Sequence, residues 1–157
     1  MGKYEIRFIK DDEWTDAMDL VYHTFLQFDA PMFTESGIAH FHGFITDPSL
    51  KQMYAVGSFQ MVGAFDDDRI IGVVALRNDH HISLLFVKDS YQKQGVGRQL
   101  VSVIADYSRN KLHQEYMTVN SSPYAVEFYH RLGFEDISEE VLEDGIFYTP
   151  MKWKLIE

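Results

Sequence analysis

The alternation of hydrophobic and polar residues divides the chain into predicted strands and helices. Residues 4–9 (YEIRFI) alternate with the period of two that is typical of a half-buried strand. Apolar residues then recur at helical spacing, from an N-cap at Asp11 or Asp12 to about Phe28. A second helix is predicted for about residues 36–44, because the Asp-Pro pair that follows disfavours continuing it.

The rest of the chain predicts mostly strands, interrupted by two helices. In order, these are strands at 58–65, 70–77 and 80–87, a helix at 100–112, a strand at 116–120, a helix at 123–132, and a closing hairpin of 134–143 and 146–155. This order predicts a single α/β (α+β) domain over residues 1–157. Its central sheet would be mixed, with about six to seven strands flanked by about four helices.

Composition narrows the possible functions. The 157 residues are 46% hydrophobic, which suits one packed domain. The absence of cysteine excludes disulfides, thiolate metal sites and an acyl-cysteine intermediate. A net charge of −10 argues against general nucleic-acid binding and suits a cationic small substrate. No apolar run approaches the roughly 18 residues of a membrane span, and no stretch is typical of a signal peptide, so we expect a cytoplasmic protein without membrane contact.

A glycine-bearing turn, YQKQGVGRQL, joins the strand at 80–87 to the next helix. Amide groups at a helix N-terminus bind anions. A Rossmann fingerprint would need glycine where Leu100 stands, and a P-loop would need Gly-Lys-Ser/Thr where Gly97 is followed by Arg98. A pyrophosphate held by the turn amides, with Lys93 and Arg98 adding positive charge, therefore fits better. The alternative is that Gly95 and Gly97 only allow a tight connection.

The pattern Gln92-x-x-Gly95-x-Gly97 resembles the Gln/Arg-x-x-Gly-x-Gly/Ala signature of the GNAT superfamily of acyl-CoA-dependent N-acetyltransferases. A second segment at residues 119–134, with a Phe-Tyr-x-x-x-Gly-Phe pattern beginning at Phe128, is also similar to that family. The resemblance covers the chain well from the first predicted hairpin onward, and before it only in outline. It implies acetyl-CoA as co-substrate, with no metal, and makes the pyrophosphate of coenzyme A the expected anion.

The resemblance also implies roles for individual residues. In the family, a bulge in the strand before the glycine turn frees backbone amides, so the N–H of Val87 is expected to polarise the thioester carbonyl. Tyr129 occupies the position of the family's general acid, which gives a proton to the departing thiolate. The residues expected to bind the co-substrate are Phe86, Val87, Gln92, Lys93, Gln94, Gly95, Val96, Gly97, Arg98 and Asn120.

The proton acceptor and the amine site are less directly indicated. Many family members use a glutamate near the strand before the turn. Residues 80–88 contain no acidic residue, and they offer His81 as a candidate base. The alternative is that the paired histidines there are only exposed polar residues. An apolar acceptor site with one anionic group is expected from Phe28, Asp29, Met32 and Phe33. Elsewhere, a histidine pair at 40 and 42 does not share a helix face, which argues against a metal site.

The expected function is transfer of an acetyl group from acetyl-CoA to a primary amine, directly within a ternary complex. The acceptor would be a small-molecule or peptide amine. The alternative is a non-catalytic acyl-CoA-binding sensor or regulatory module, which would keep the glycine turn without needing Tyr129. The alternating C-terminal stretch MKWKLIE suits an edge strand of the kind that joins subunits in the family, which leaves a homodimer open.

Overall fold

The computed structural model describes residues 3–156 and shows a mixed sheet with helices on both faces. The α-helices are α1 (Trp14–Phe28), α2 (Glu35–Ile45), α3 (Pro48–Ala55), α4 (Val96–Asn110) and α5 (Val126–Leu132). The strands are β1 (Glu5–Phe8), β2 (Phe59–Asp66), β3 (Arg69–Arg77), β4 (His81–Val87), β5 (Tyr116–Ser121), β6 (Glu135–Asp136), β7 (Val141–Glu143) and β8 (Ile146–Lys154).

The order of strands opens the sheet at its centre. They run β1-β2-β3-β4-β5-β8-β6, with β7 paired to β8. Neighbours are antiparallel except β4 and β5, which are parallel and pair at His81–Thr118 and Ile82–Val119. Within the described residues, β4 has no partner in β5 beyond Ile82. The two strands therefore diverge towards the C-terminal end of β4, where ligands of open α/β sheets commonly bind.

Two hydrophobic clusters pack on opposite faces of the sheet, because side chains of a strand alternate between faces. In β3, Val74 and Leu76 belong to the cluster beneath α4, whereas Val73 belongs to the cluster beneath α1. Leu100 of α4 and Val21 of α1 are fully buried in their respective clusters. The sheet is thus fixed on both sides, which gives the opening between β4 and β5 rigid walls.

The predicted fold class is confirmed, with more elements than expected. The sheet has eight strands and the described residues contain five α-helices, whereas about six to seven strands and about four helices were predicted. The unpredicted helix, α3, begins where the Asp-Pro pair was interpreted only as a break: Asp47 caps it, accepting from the Ser49 amide at 2.9 Å. The predicted strand at 134–143 is split into β6 and β7.

The starts of two helices also differ from the prediction. Asp11 and Asp12 do not cap α1 but lie in a single 3-10 turn that precedes it. The helix after the glycine turn begins at Val96, four residues before the predicted start. Among the described residues, no helix combines the length and apolar character needed to cross a membrane.

Candidate active site

Two cavities meet where β4 and β5 diverge. The first, the glycine-turn cleft, has a volume of about 450 Å³ and opens at the N-terminus of α4. The second, the aromatic cavity, has a volume of about 410 Å³ and lies among β4, β5, α2 and the β7–β8 hairpin. The residues that line both form a shared wall: Asp29, Leu85, Phe86, Ser122 and Ala125. The two cavities are therefore adjacent.

The glycine turn is shaped to expose backbone amides. Gly95 is the N-cap of α4 with φ of +83°, in the left-handed region that favours glycine, and a Cβ there would meet no atom within 4 Å. Since Gly95 supplies no side-chain cap, the amides of the first turn are left for an anion. Lys93 and Arg98 line the same cleft and add positive charge. This geometry suits a phosphate group.

Gln92 fixes the turn to the end of β4. Its Nε2 donates to the Val87 carbonyl oxygen at 2.9 Å, and its Oε1 accepts from the Tyr124 hydroxyl at 3.1 Å. Gln94 turns the other way, because its Oε1 accepts from the Tyr4 hydroxyl at 2.9 Å, and it does not line the cleft. Gln92, which was predicted to bind the co-substrate, thus lines the cleft and fixes the shape of the turn, whereas the side chain of Gln94 lies outside.

The second glycine of the motif serves packing. A Cβ on Gly97 would lie 3.2 Å from the ring of Phe128, so the missing side chain lets α5 approach the first turn of α4. Gly97 and Val96 both line the glycine-turn cleft. The two glycines therefore differ in their structural role: Gly95 leaves open space in the cleft, whereas Gly97 permits close packing.

The irregularity of β4 is not where the resemblance located it. The register with β3 shifts at Ser83, between the pairs that Leu84 and Ile82 make, rather than at Phe86 and Val87. Phe86 lies on the shared wall, and Val87 lines the glycine-turn cleft. What frees this end of β4 is its divergence from β5 beyond Ile82. Asn120 lines the aromatic cavity rather than the glycine-turn cleft.

Tyr129 projects from α5 to the aromatic cavity and is only 4% exposed. Its ring packs edge-to-face against Phe128 and Phe134, with centroids 5.2 Å apart in each case. Burial, followed by the nearby charge of Asp29, raises the pKa of the Tyr129 hydroxyl well above its ordinary value. The phenol therefore keeps its proton at neutral pH and is able to donate it.

Asp29 is the C-cap residue of α1 and lies on the shared wall. Burial raises the pKa of its carboxyl group to about 6, and the Ser122 hydroxyl, which favours the charged form, offsets part of the effect. Among residues 3–156, no basic side chain forms an ion pair with it. Asp29 is thus a carboxylate without a protein counter-ion, placed between two cavities.

His81 lies at the start of β4 and also lines the aromatic cavity. Its Nδ1 is 2.8 Å from the Thr118 hydroxyl. Burial, followed by the charges of Arg77 and His80, lowers the pKa of the imidazole to about 4. His81 is therefore neutral near pH 7, and it binds a proton more weakly than Asp29 does.

The four residues predicted for the acceptor site separate into three groups. Asp29 and Phe33 line the aromatic cavity, whereas Phe28 lines the glycine-turn cleft and stacks on Tyr124 with centroids 5.2 Å apart. Met32 is 49% exposed and lines neither cavity. Sequence reasoning missed the rings that α2 and β8 contribute. The spacing of phenylalanines in α2, three residues apart on one helix face, was the available signal.

No group of three or more His, Cys, Asp or Glu side chains within residues 3–156 is arranged to hold a metal ion. Both histidines of the pair at 40 and 42 belong to α2. His40 lines the aromatic cavity, and His42 packs against the ring of Tyr22 with centroids 4.8 Å apart.

The glycine turn thus lies beside a cavity lined by a protonated phenol and a carboxylate without a counter-ion among the described residues. The family model described as the acetyltransferase (GNAT) domain matches residues 29–155. The chain therefore belongs to the GNAT acetyltransferases, and the resemblance carried by the glycine turn is confirmed. A search among curated proteins gives no match.

Several solved structures share the fold. A GCN5-related N-acetyltransferase from Rhodopseudomonas palustris aligns with a TM-score of 0.82 at 18% identity, covering 98% of this chain and 97% of that chain. The PaiA N-acetyltransferase of Thermoplasma acidophilum, in complex with coenzyme A, gives 0.77 at 18% identity, covering 98% and 99%. A variant of the spermidine N-acetyltransferase SpeG from Vibrio cholerae gives 0.68 at 15% identity, covering 98% and 94%.

Proposed function

We propose that the protein is an N-acetyltransferase that moves an acetyl group from acetyl-CoA directly to a primary amine in a ternary complex. The observation that carries this proposal is the shared wall. Two cavities of suitable size meet there, with Tyr129 and Asp29 beside the junction. One cavity would hold the donor and the other the acceptor, so that transfer needs no covalent intermediate on the protein. The family supports acetyl transfer itself.

The residues of the glycine-turn cleft fit coenzyme A. The amides of the first turn of α4, with Lys93 and Arg98, would hold its pyrophosphate, and the open side of Gly95 leaves room for it. The gap between β4 and β5 would admit the pantetheine arm. Phe86 would contact the thioester, and the Val87 amide would donate to its carbonyl oxygen. Coenzyme A in the structure of the PaiA enzyme supports the choice of co-substrate.

Proton transfers at the nitrogen and at the sulfur complete the reaction. The amine must lose a proton before its nitrogen attacks, since a primary amine has a pKa of about 10.4 by analogy with lysine. Asp29 is the better acceptor in this proposal because the pKa of its carboxyl group is about 6, whereas that of His81 is about 4. Tyr129 then protonates the departing thiolate. The nitrogen–carbon bond forms and the carbon–sulfur bond breaks. The second proton of the nitrogen restores the Tyr129 phenol, and the proton held by Asp29 is released to solvent.

The competing function is a non-catalytic acyl-CoA-binding module. Such a module would need the glycine-turn cleft but neither a carboxylate nor a phenol at the shared wall. The location of Tyr129 and Asp29 beside the same junction favours the enzyme.

The test is to incubate the protein with acetyl-CoA, with and without a pool of primary amines, and to follow release of the coenzyme A thiol. Direct transfer predicts thiol release only when an amine is present, an N-acetylated product by mass spectrometry, and no acetylated protein when the amine is omitted. Accumulation of acetyl-protein without amine would contradict direct transfer. Binding of acetyl-CoA without any acetyl transfer would favour the module.

A further inference from the structure

The lining of the aromatic cavity indicates what kind of acceptor it takes. Half-buried rings from the α1–α2 segment, α2, β4 and β8 face it: Phe33, Phe41, Phe44, Phe86, Phe147 and Tyr148. They are supported from behind, since Phe25 is 1% exposed and stacks on Phe41 with centroids 4.0 Å apart. Rings that are held in place yet still half exposed offer an apolar surface for a ligand.

Charge inside the cavity is limited to one group. Asp29 is a carboxylate without a protein counter-ion among the described residues, and His81 is neutral near pH 7. The remaining charged residues of the lining are exposed at the rim and carry both signs: Glu143, Asp144, Arg77 and His40, the last when protonated. The interior therefore has a partner for one ammonium group. A second ammonium among the rings would be buried without a counter-charge.

One side of the cavity is bounded by a contact between α2 and the β7–β8 hairpin. The Thr34 amide donates to the Gly145 carbonyl oxygen at 3.1 Å, and the Thr34 hydroxyl donates to the same oxygen at 3.1 Å. Gly37 lies so close that a Cβ would collide with that carbonyl. Both α2 and the hairpin line the cavity, so their contact closes this side to an extended polypeptide.

We propose that the acceptor is a small primary monoamine with an apolar, ring-sized body, bound with its ammonium group at Asp29 and its body among the rings of the aromatic cavity. This inference rests on the proposed function and specifies its substrate class. A cavity of about 410 Å³ is near the small end of ligand pockets, and the thioester end of the donor must occupy the part beside β4 and β5. The space that remains suits one ring on a short chain.

The chemistry follows from this placement. Asp29 pairs with the ammonium group, accepts one proton from it, and leaves the neutral amine facing Phe86 across the shared wall. The nitrogen then bonds to the acetyl carbon, the carbon–sulfur bond breaks, Tyr129 protonates the thiolate, and the second proton of the nitrogen restores Tyr129. The thiol of coenzyme A and an N-acetyl amide are the products. Acetylation removes the positive charge, so the product loses its pairing with Asp29. Release of the product is therefore favoured.

The experiment compares three acceptors at equal concentration: 2-phenylethylamine, spermidine and a short lysine-containing peptide. Release of the coenzyme A thiol gives kcat/KM for each. The proposal expects 2-phenylethylamine to exceed the other two by about tenfold or more. Phe147→Ala should then raise KM for 2-phenylethylamine by about tenfold, since burying a phenylalanine-sized group contributes at least that much to binding. Phe8→Ala, on β1 and outside both cavities, is the matched control and should leave KM unchanged.

The outcomes separate this inference from the function beneath it. A preference for spermidine or for the peptide would overturn the monoamine class while leaving the acetyltransferase intact. Equal KM values in Phe147→Ala and Phe8→Ala would show that the rings do not hold the acceptor, and would overturn the placement. No thiol release with any acceptor, by protein that still binds acetyl-CoA, would overturn the proposed function as well.

Discussion

Replacing Tyr129 by phenylalanine removes one oxygen atom from the lining of the aromatic cavity. The ring contacts with Phe128 and Phe134, at 5.2 Å each, do not involve that oxygen, so the packing of α5 should survive. We expect the free energy of unfolding to change by less than about 1 kcal/mol, the usual contribution of a single hydrogen bond. Acetyl-CoA affinity should also be unchanged, since Tyr129 does not line the glycine-turn cleft.

Turnover should fall much further than stability. Burial keeps the Tyr129 phenol protonated, so in the unmodified protein the acid is always in its active form near neutral pH. Removing a general acid typically costs a factor of about 10² to 10⁴ in rate. This corresponds to about 2.7 to 5.4 kcal/mol of transition-state stabilisation, at 1.36 kcal/mol for each factor of ten.

The assay measures kcat by release of the coenzyme A thiol and acetyl-CoA affinity by calorimetry, for Tyr129→Phe and for Tyr107→Phe. Tyr107 lies on α4, packs edge-to-face on Phe8 with centroids 4.9 Å apart, and lines neither cavity, so it is a matched control. A kcat of Tyr129→Phe within threefold of the control would refute the assignment of the acid. A large loss of acetyl-CoA affinity would instead indicate that the tyrosine supports the cofactor site.

Two further predictions concern pH. Because Asp29 must be ionised to accept a proton and has a pKa of about 6, kcat/KM should fall as pH drops below about 6. This acidic decrease in kcat/KM should disappear in Asp29→Asn and persist in His81→Gln. The reverse result would assign the base to the histidine. Glu13 is bound by both terminal nitrogens of Arg7 at 2.9 Å, which lowers the pKa of its carboxyl group to about 2. The stabilisation that the Glu13–Arg7 pair gives the folded protein should therefore be full above about pH 4.5 and decline as pH falls towards 2. Glu13→Gln should lower the free energy of unfolding by ~1 kcal/mol at neutral pH, measured by urea unfolding. A difference in stability between the two proteins that grows on acidification would contradict this.

The strands and the glycine turn could be predicted because their signals are local. Alternation over residues 4–9 and the position of Gly95 between a strand and a helix depend on neighbours in sequence alone. The helix α3 escaped prediction because Asp47 and the following proline both end one helix and begin another. The sequence could name Asp29 as an anionic group for the acceptor, but not its place on the wall of both cavities. That place depends on where the end of α1 meets the opening between β4 and β5, which is a tertiary property.

The register of β4 illustrates the same limit. The shift at Ser83 is set by pairing with β3, and no residue in ISLLFV indicates it. Likewise, Met32 is close in sequence to Phe33, yet it is exposed because the short 3-10 turn at Ala30–Met32 directs it away from the cavity that Phe33 lines.

The most direct test of the central claim is a calorimetric titration of the protein with acetyl-CoA, beside the same titration of Gly95→Asp. We predict saturable one-site binding to the unmodified protein. In the variant, binding should be abolished, because an aspartate would place a side chain and a negative charge in the space that Gly95 leaves open. Equal, tight binding by both proteins would contradict the pyrophosphate site at the glycine turn. No binding by the folded, unmodified protein would contradict acetyl-CoA as co-substrate altogether.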